Sequence, residues 1–277
     1  MALPVTLQNF SFGYEPGKTS ALDSVSLEVP PGSVCAVLGP SSSGKTTLLL
    51  AVSGILGRIH PRGFSAGTVR VGSTEYPPFL RSAAPPRVSM TMQQASLQIS
   101  GFKKTVYEEI DFSMQVSSTV GNERSRQISS VASSLGIAHL LDRDVRELSG
   151  GELHRAALAA AIAGTPDVLL LDEPFAGLDA QAYTSLLRTL RSLKPSTTIL
   201  FSDCGIEAAL LLSENVLILD AGRATYAGPS TSLWNEAEAY RNLITADSWI
   251  AIRERLRVSS QHHNAKAIRL LNRWSCT

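Results

Sequence analysis

Cysteine is scarce in this chain, with three in 277 residues, and Cys35, Cys204 and Cys276 lie far apart. That scatter gives neither a metal-ligand spacing nor a disulfide framework, and Cys35, inside an apolar run, reads as a strand filler. Net charge is also nearly absent, at +1. Nothing then draws the whole chain toward nucleic acid, and no nucleic-acid partner is expected. No uncharged apolar run approaches the roughly eighteen residues of a membrane span, and the start lacks the basic segment and cleavage site of a secretory signal. A cytosolic chain is expected, with any membrane pathway built by other chains. Charged residues make up only 18% against 44% apolar, which suits an ordered globular protein with well-covered sheets.

What is present begins with Gly39-Pro40-Ser41-Ser42-Ser43-Gly44-Lys45-Thr46, followed by Thr47. It lies between the apolar runs Val34–Leu38 and Leu48–Val52, which read as a buried strand and then a helix. A tight turn into a helix N-terminus aims several backbone N–H groups one way, where they can cradle a triphosphate with help from the helix dipole. In such a phosphate loop Lys45 reaches the β- and γ-phosphates and the Thr46 hydroxyl ligates Mg²⁺. A second buried run, Val168–Leu171, ends in Asp172-Glu173-Pro174. Both motifs stand at strand C-terminal ends, where open parallel sheets bind ligands.

Along the chain, Val5 and Leu7 alternate with Thr6 and Gln8, and Val25, Leu27 and Val29 with Ser24, Ser26 and Glu28, as in strands with one buried face. Between them Tyr14 opens a turn rich in Gly and Pro, where its ring can stack on a flat base or simply close a strand. Gly54 to Gly67 reads as loop, Thr68–Val71 and Arg87–Met92 as strands. From Thr105 to about Ala163 the pattern turns helical, with an apolar stripe at Val131, Leu135, Ile137 and Leu140. Two further strands are expected at Thr197–Phe201 and Val216–Leu219.

Leu148-Ser149-Gly150-Gly151-Glu152 resembles the signature of ATP-binding-cassette ATPases. The resemblance extends to Gln93 at their Q-loop and to Phe175-Ala176-Gly177-Leu178-Asp179 at their D-loop, and covers roughly residues 3–230. Within the family, Gln93-Gln94-Ala95-Ser96-Leu97-Gln98 with Thr105-Val106-Tyr107-Glu108-Glu109-Ile110 is most similar to the ATPases of energy-coupling-factor vitamin and metal importers. The fold implied is an α/β P-loop NTPase (RecA-like) core with a mostly parallel sheet, an N-terminal antiparallel β subdomain and an inserted helical subdomain at about 95–163. Residues 1–230 would form the ATPase domain and 231–277 a C-terminal helical extension.

The resemblance implies ATP and Mg²⁺ as cofactors. Thr46, Gln93 and Asp172 would hold or sense the metal, and Glu173 would take the proton of the attacking water. The loop residues 39–47 and Tyr14 would bind the chain's own nucleotide. Because the family closes ATP between two subunits placed head to tail, Ser149 and Gly151 would serve the partner's nucleotide, with Gly150 and the D-loop residue Asp179 also among the nucleotide-binding residues. The implied partners are a second cassette ATPase, a transmembrane coupling subunit and a membrane subunit that recognises the solute, at the cytoplasmic membrane face. A soluble cassette ATPase without transport, or a degenerate ATP-binding regulator, are the rival readings.

The chain departs from the family at the histidine expected after the strand that follows the D-loop. Here the text is Phe201-Ser202-Asp203-Cys204-Gly205. Counting back from Asp220-Ala221-Gly222-Arg223 puts Cys204 in that slot, with Asp203 the alternative. A neutral thiol donates weakly and a carboxylate repels phosphate, so slow hydrolysis and a different cassette as working partner are expected. Ser41 and Ser42 stand where the family commonly has Asn and Gly. In the tail, Ile268, Leu271 and Trp274 recur at helical spacing beside a basic stretch, which suits either a docking element or a helix packed on its own domain.

Overall fold

A computed structural model of the protein describes residues 1–76, 87–114 and 121–235. The N-terminal alternation builds an antiparallel sheet in the order β2 (Leu22–Val29), β1 (Val5–Gly13), β4 (Phe64–Val71), β5 (Thr74–Tyr76). The apolar runs build a second sheet, ordered β10 (Arg223–Pro229), β9 (Asn215–Asp220), β3 (Val34–Leu38), β8 (Thr198–Asp203), β7 (Val168–Asp172), β6 (Val88–Thr91). All its pairings are parallel except β9 with the edge strand β10.

Strands β3 and β7 are apolar at nearly every position, and β8 along Ile199–Phe201, because both faces of this sheet are covered. Val34, Ala36, Leu169, Leu171, Ile199 and Phe201 pack toward one core with α5 (Gly150–Ala163), α6 (Ala180–Leu193) and α7 (Glu207–Leu212). The intervening Cys35, Val37, Val168, Leu170 and Leu200 pack with the antiparallel sheet and α1 (Lys45–Val52). Each fully buried Leu or Phe here contributes about 1.5–3 kcal/mol. Cys35 is wholly buried and its thiol is pushed up to about 12 by desolvation, as befits a strand filler.

Helices α3 (Val106–Ser113), α4 (Gly121–Ser134) and α5 lie between β6 and β7 and form the helical insertion. Its apolar stripe is not one helix. Gly136, at φ 70, follows the end of α4, so Ile137 and Leu140 are buried from a separate 3₁₀ turn and Val131 is only partly buried. The stretch expected to be loop also carries structure. A short helix, α2 (Leu56–Ile59), follows α1, and β4 starts at Phe64, whose ring fills the space left by the missing side chain of Gly13. Among the described residues no helix is long and apolar enough to cross a membrane. The expected terminal helix with Ile268, Leu271 and Trp274 lies outside the described residues.

Candidate nucleotide site

Strand β3 ends at Leu38 and the chain turns through Gly39–Gly44 into α1. Glycine is required at two points of the turn. A Cβ on Gly39 (φ 154) would stand 2.3 Å from the Leu219 carbonyl oxygen, and one on Gly44 (φ 104) 2.6 Å from that of Ala21. Ser42 holds φ 65, the left-handed region where an ordinary residue pays a steric cost and glycine does not. Helix α1 has no side-chain cap and no acidic residue in its first turn. By contrast α3 and α5 start in capping boxes, Thr105 with Glu108 and Ser149 with Glu152, and α6 is capped by Asp179. The first N–H groups of α1 therefore lack a side-chain acceptor, which is the donor set an anion needs.

Lys45 is 5% exposed, and its ammonium donates to the carbonyls of Gly39 (2.8 Å) and Pro40 (3.0 Å). The Thr46 hydroxyl donates to Asp172 Oδ2 at 2.8 Å, and Ser202 Oγ donates to Asp172 Oδ1 at 2.5 Å. A hydroxyl and a buried carboxylate held this close form a hard-oxygen pair that fits Mg²⁺, which would supply charge neutralisation there. Glu173 follows at φ 50, its N–H donating to Ser202 Oγ at 2.9 Å. Gln93 Nε2 donates to Glu173 Oε2 at 2.8 Å, so in this structure the glutamine holds the carboxylate rather than the Thr46–Asp172 pair.

Cys204 Sγ lies 3.2 Å from Glu173 Oε1 and 3.5 Å from Lys45 Nζ, whereas Asp203 Oδ1 accepts the Gly205 N–H at 2.9 Å. Of the two residues weighed for the histidine slot, the sulfur is the one that meets Lys45 and Glu173. Burial, followed by the neighbouring Glu173 carboxylate, raises the Cys204 thiol, so it stays neutral. Burial also raises the Asp203 carboxyl, partly offset by the Gly205 and Cys204 amides.

A cavity of about 440 Å³ lies over the loop, lined by Tyr14, Ala21, Ser41, Ser42, Gly44–Thr47, Gln93 and Glu173. The Tyr14 hydroxyl shares a 2.6 Å hydrogen bond with Thr47 Oγ1, and its ring meets Phe12 and His60 edge to face. A second cavity of about 420 Å³, at Phe102, Lys104 and Arg146, includes no carboxylate. Ser149, Gly150, Gly151 and Asp179 are not in the lining of the loop cavity. The signature triplet is exposed, and among the described residues a Cβ on Gly150 or Gly151 would meet nothing within 4 Å. Ser202, His60 and His154 (Nε2 2.9 Å from the Pro174 carbonyl) were not singled out by sequence reasoning. Serine and histidine carry no spacing signal on their own, so only the fold brings them here.

The profile of the ABC transporter family matches residues 22–176. The chain belongs to the ABC transporter family. This ABC ATPase is 35% identical over 226 residues to the cobalt import ATP-binding protein CbiO of Rhodobacter capsulatus, a match covering 80% of this chain and 77% of that protein. It is 34% identical over 231 residues to the sulfate/thiosulfate import ATP-binding protein CysA of Salmonella typhi, covering 79% of this chain and 59% of that one. Among solved structures, CbiO1 of Clostridium perfringens, described as part of the ABC transporter complex CbiONQ, superposes with TM-score 0.67 at 24% identity, over 88% of this chain and 95% of that chain. An ATP-bound bacterial Atm1-family exporter gives TM-score 0.73 at 23% identity, over 94% of this chain but only 43% of the exporter's. At these identities the superpositions establish the P-loop NTPase cassette fold. The chain is similar to ABC ATPases of the energy-coupling-factor type.

Proposed function

We propose that the chain is the ATP-hydrolysing subunit of a membrane importer of the energy-coupling-factor type, working head to tail with a second cassette ATPase. The observation that carries this reading is one cavity containing the uncapped start of α1, Lys45 and Thr46, with Asp172 hydrogen-bonded to Thr46 behind it. In it the loop amides and Lys45 bind the phosphates, Thr46 and Asp172 hold Mg²⁺, and Tyr14 takes the base. Glu173 orients the attacking water and accepts its proton, with Gln93 holding the carboxylate beforehand. The chemistry is mostly positioning and charge neutralisation, which suits a site built from backbone donors and two fixed carboxylates.

The exposed signature supports a dimer. Ser149 caps α5, Gly150 and Gly151 have open space where side chains would be, and nothing among the described residues requires glycine there. A phosphate arriving from a partner would. Residues 1–230 act as the ATPase domain on the cytoplasmic membrane face. A transmembrane coupling subunit supplies the pathway, and a membrane subunit recognises the vitamin or metal. The CbiO1 neighbour, part of a CbiONQ complex, favours that setting.

The contact of Cys204 with Glu173 favours a refinement. A neutral thiol cannot supply the cationic donor of an imidazolium, so the site built on this chain's own Lys45 turns over slowly, and the working dimer is a heterodimer. Equilibrium binding of Mg-ATP to the purified chain and to Lys45→Ala tests the core of the reading. Binding is expected in the first and lost in the second. Equal affinity in both would remove the loop from nucleotide binding.

A further inference from the structure

We infer that His154 is a positioning residue that couples the signature helix to the Glu173 carboxylate of the same chain. The inference rests on the reading above, in which Glu173 is the base and Ser149 and Gly151 face the partner's nucleotide. His154 Nε2 lies 2.9 Å from the carbonyl oxygen of Pro174, the residue that follows Glu173. A carbonyl only accepts, so the ring donates.

Several other restraints on the Glu173 turn come from the sheet and its loops. Ser202 Oγ accepts the Glu173 N–H at 2.9 Å, the Ala176 N–H returns to the Glu173 carbonyl at 3.2 Å, and Gln93 and Cys204 hold the side chain. His154 brings in a different element. It stands on α5, whose N-cap is Ser149. At 1.5 Å of rise per residue, the five steps from Ser149 to His154 span about 7.5 Å, well within one rigid helix. Leu158, Ala159 and Ile162 anchor that helix in the core.

Glu173 holds φ 50, a conformation an ordinary residue keeps only where its surroundings impose it. A pull on Ser149 and Gly151 by a partner-bound phosphate shifts α5. His154 then carries the shift to the Pro174 carbonyl, one residue from the base. The two composite sites of a dimer are thus connected within each chain: closure around the partner's nucleotide sets the aim of this chain's own Glu173.

The test compares the purified full chain with His154→Ala, His154→Leu and His154→Gln, measuring Mg-ATP affinity, KM and kcat with labelled ATP so that a slow rate is resolved. Leucine keeps bulk without a donor, and glutamine restores a donor on an unbranched stem. In Ala and Leu, kcat is expected to fall about tenfold or more, the scale of a misaimed catalytic group. KM and affinity should stay within about twofold, because the phosphate cradle is untouched. Gln should recover most of the rate. Should Ala fail to fold, the Leu and Gln pair still decides. A Leu variant as fast as the unaltered chain, a Gln variant no better than Leu, or a loss appearing in KM would overturn the inference. If the unaltered chain bound no ATP, the proposed function would fail first, and this inference with it. Intact binding with turnover indifferent to position 154 would overturn the inference alone.

Discussion

Tyr14 is fixed from two directions. Its ring is boxed by Phe12 and His60 at 84–88° to each, and its hydroxyl is tied to the nearly buried Thr47 beside the phosphate loop. Tyr14→Ala should weaken ATP binding by about 1–3 kcal/mol, the range for base–aromatic stacking. Tyr14→Phe keeps the stacking face and loses a hydrogen bond worth about 0.5–1.5 kcal/mol. The Thr47 bond makes the cost of the Phe change measurable. Calorimetric titration checks the order: a larger loss for Ala than for Phe is expected, and equal losses would assign the effect to the hydroxyl. At this scale the sequence was legible where type and spacing carry chemistry, as in Lys45, Thr46, Asp172 and Glu173. It was silent on Ser202, whose hydroxyl both donates to Asp172 and accepts from Glu173 N–H, because a serine in a strand looks like any other.

Among the secondary-structure elements, the treatment of helix starts separates structure from function. Helices α3, α5 and α6 have their first amides satisfied by their own side chains, and α1 does not. The signature helix combines both uses. Ser149 Oγ donates to Glu152 Oε2 at 2.7 Å and accepts the Glu152 N–H, yet among the described residues nothing would meet a Cβ on either glycine after it. Gly151→Ala should therefore leave the melting temperature of the isolated chain unchanged or raise it, since Ala is favoured over Gly in a helix by up to about 1 kcal/mol. In the membrane complex the same change should cut ATPase turnover by about 10²-fold, the usual effect of spoiling a phosphate-stabilising donor. A marked drop in melting temperature would show that the glycine serves this chain's own packing.

The buried strands were legible as apolar runs because both faces of their sheet are covered. Boundaries governed by single glycines or by one ring were not. Gly136 divides the stripe of α4, and Phe64 starts β4 early by filling the space beside Gly13.

At the scale of the whole molecule, the chain offers two surfaces that do not meet within it. One is the loop cavity over Lys45 and Glu173, and the other is the exposed signature with its unused glycines. On the proposed head-to-tail reading such a chain is half of two sites, and a neutral thiol against Glu173 would make the two halves unequal. The measurement that tests this most directly is ATPase turnover of the isolated chain against that of its membrane complex purified in mild detergent, with Ser149→Arg and Glu173→Gln introduced into this chain alone. The account predicts slow turnover in isolation, abolition of the complex's activity by Ser149→Arg, and a much smaller loss from Glu173→Gln. Brisk, cooperative hydrolysis by the isolated chain would contradict it.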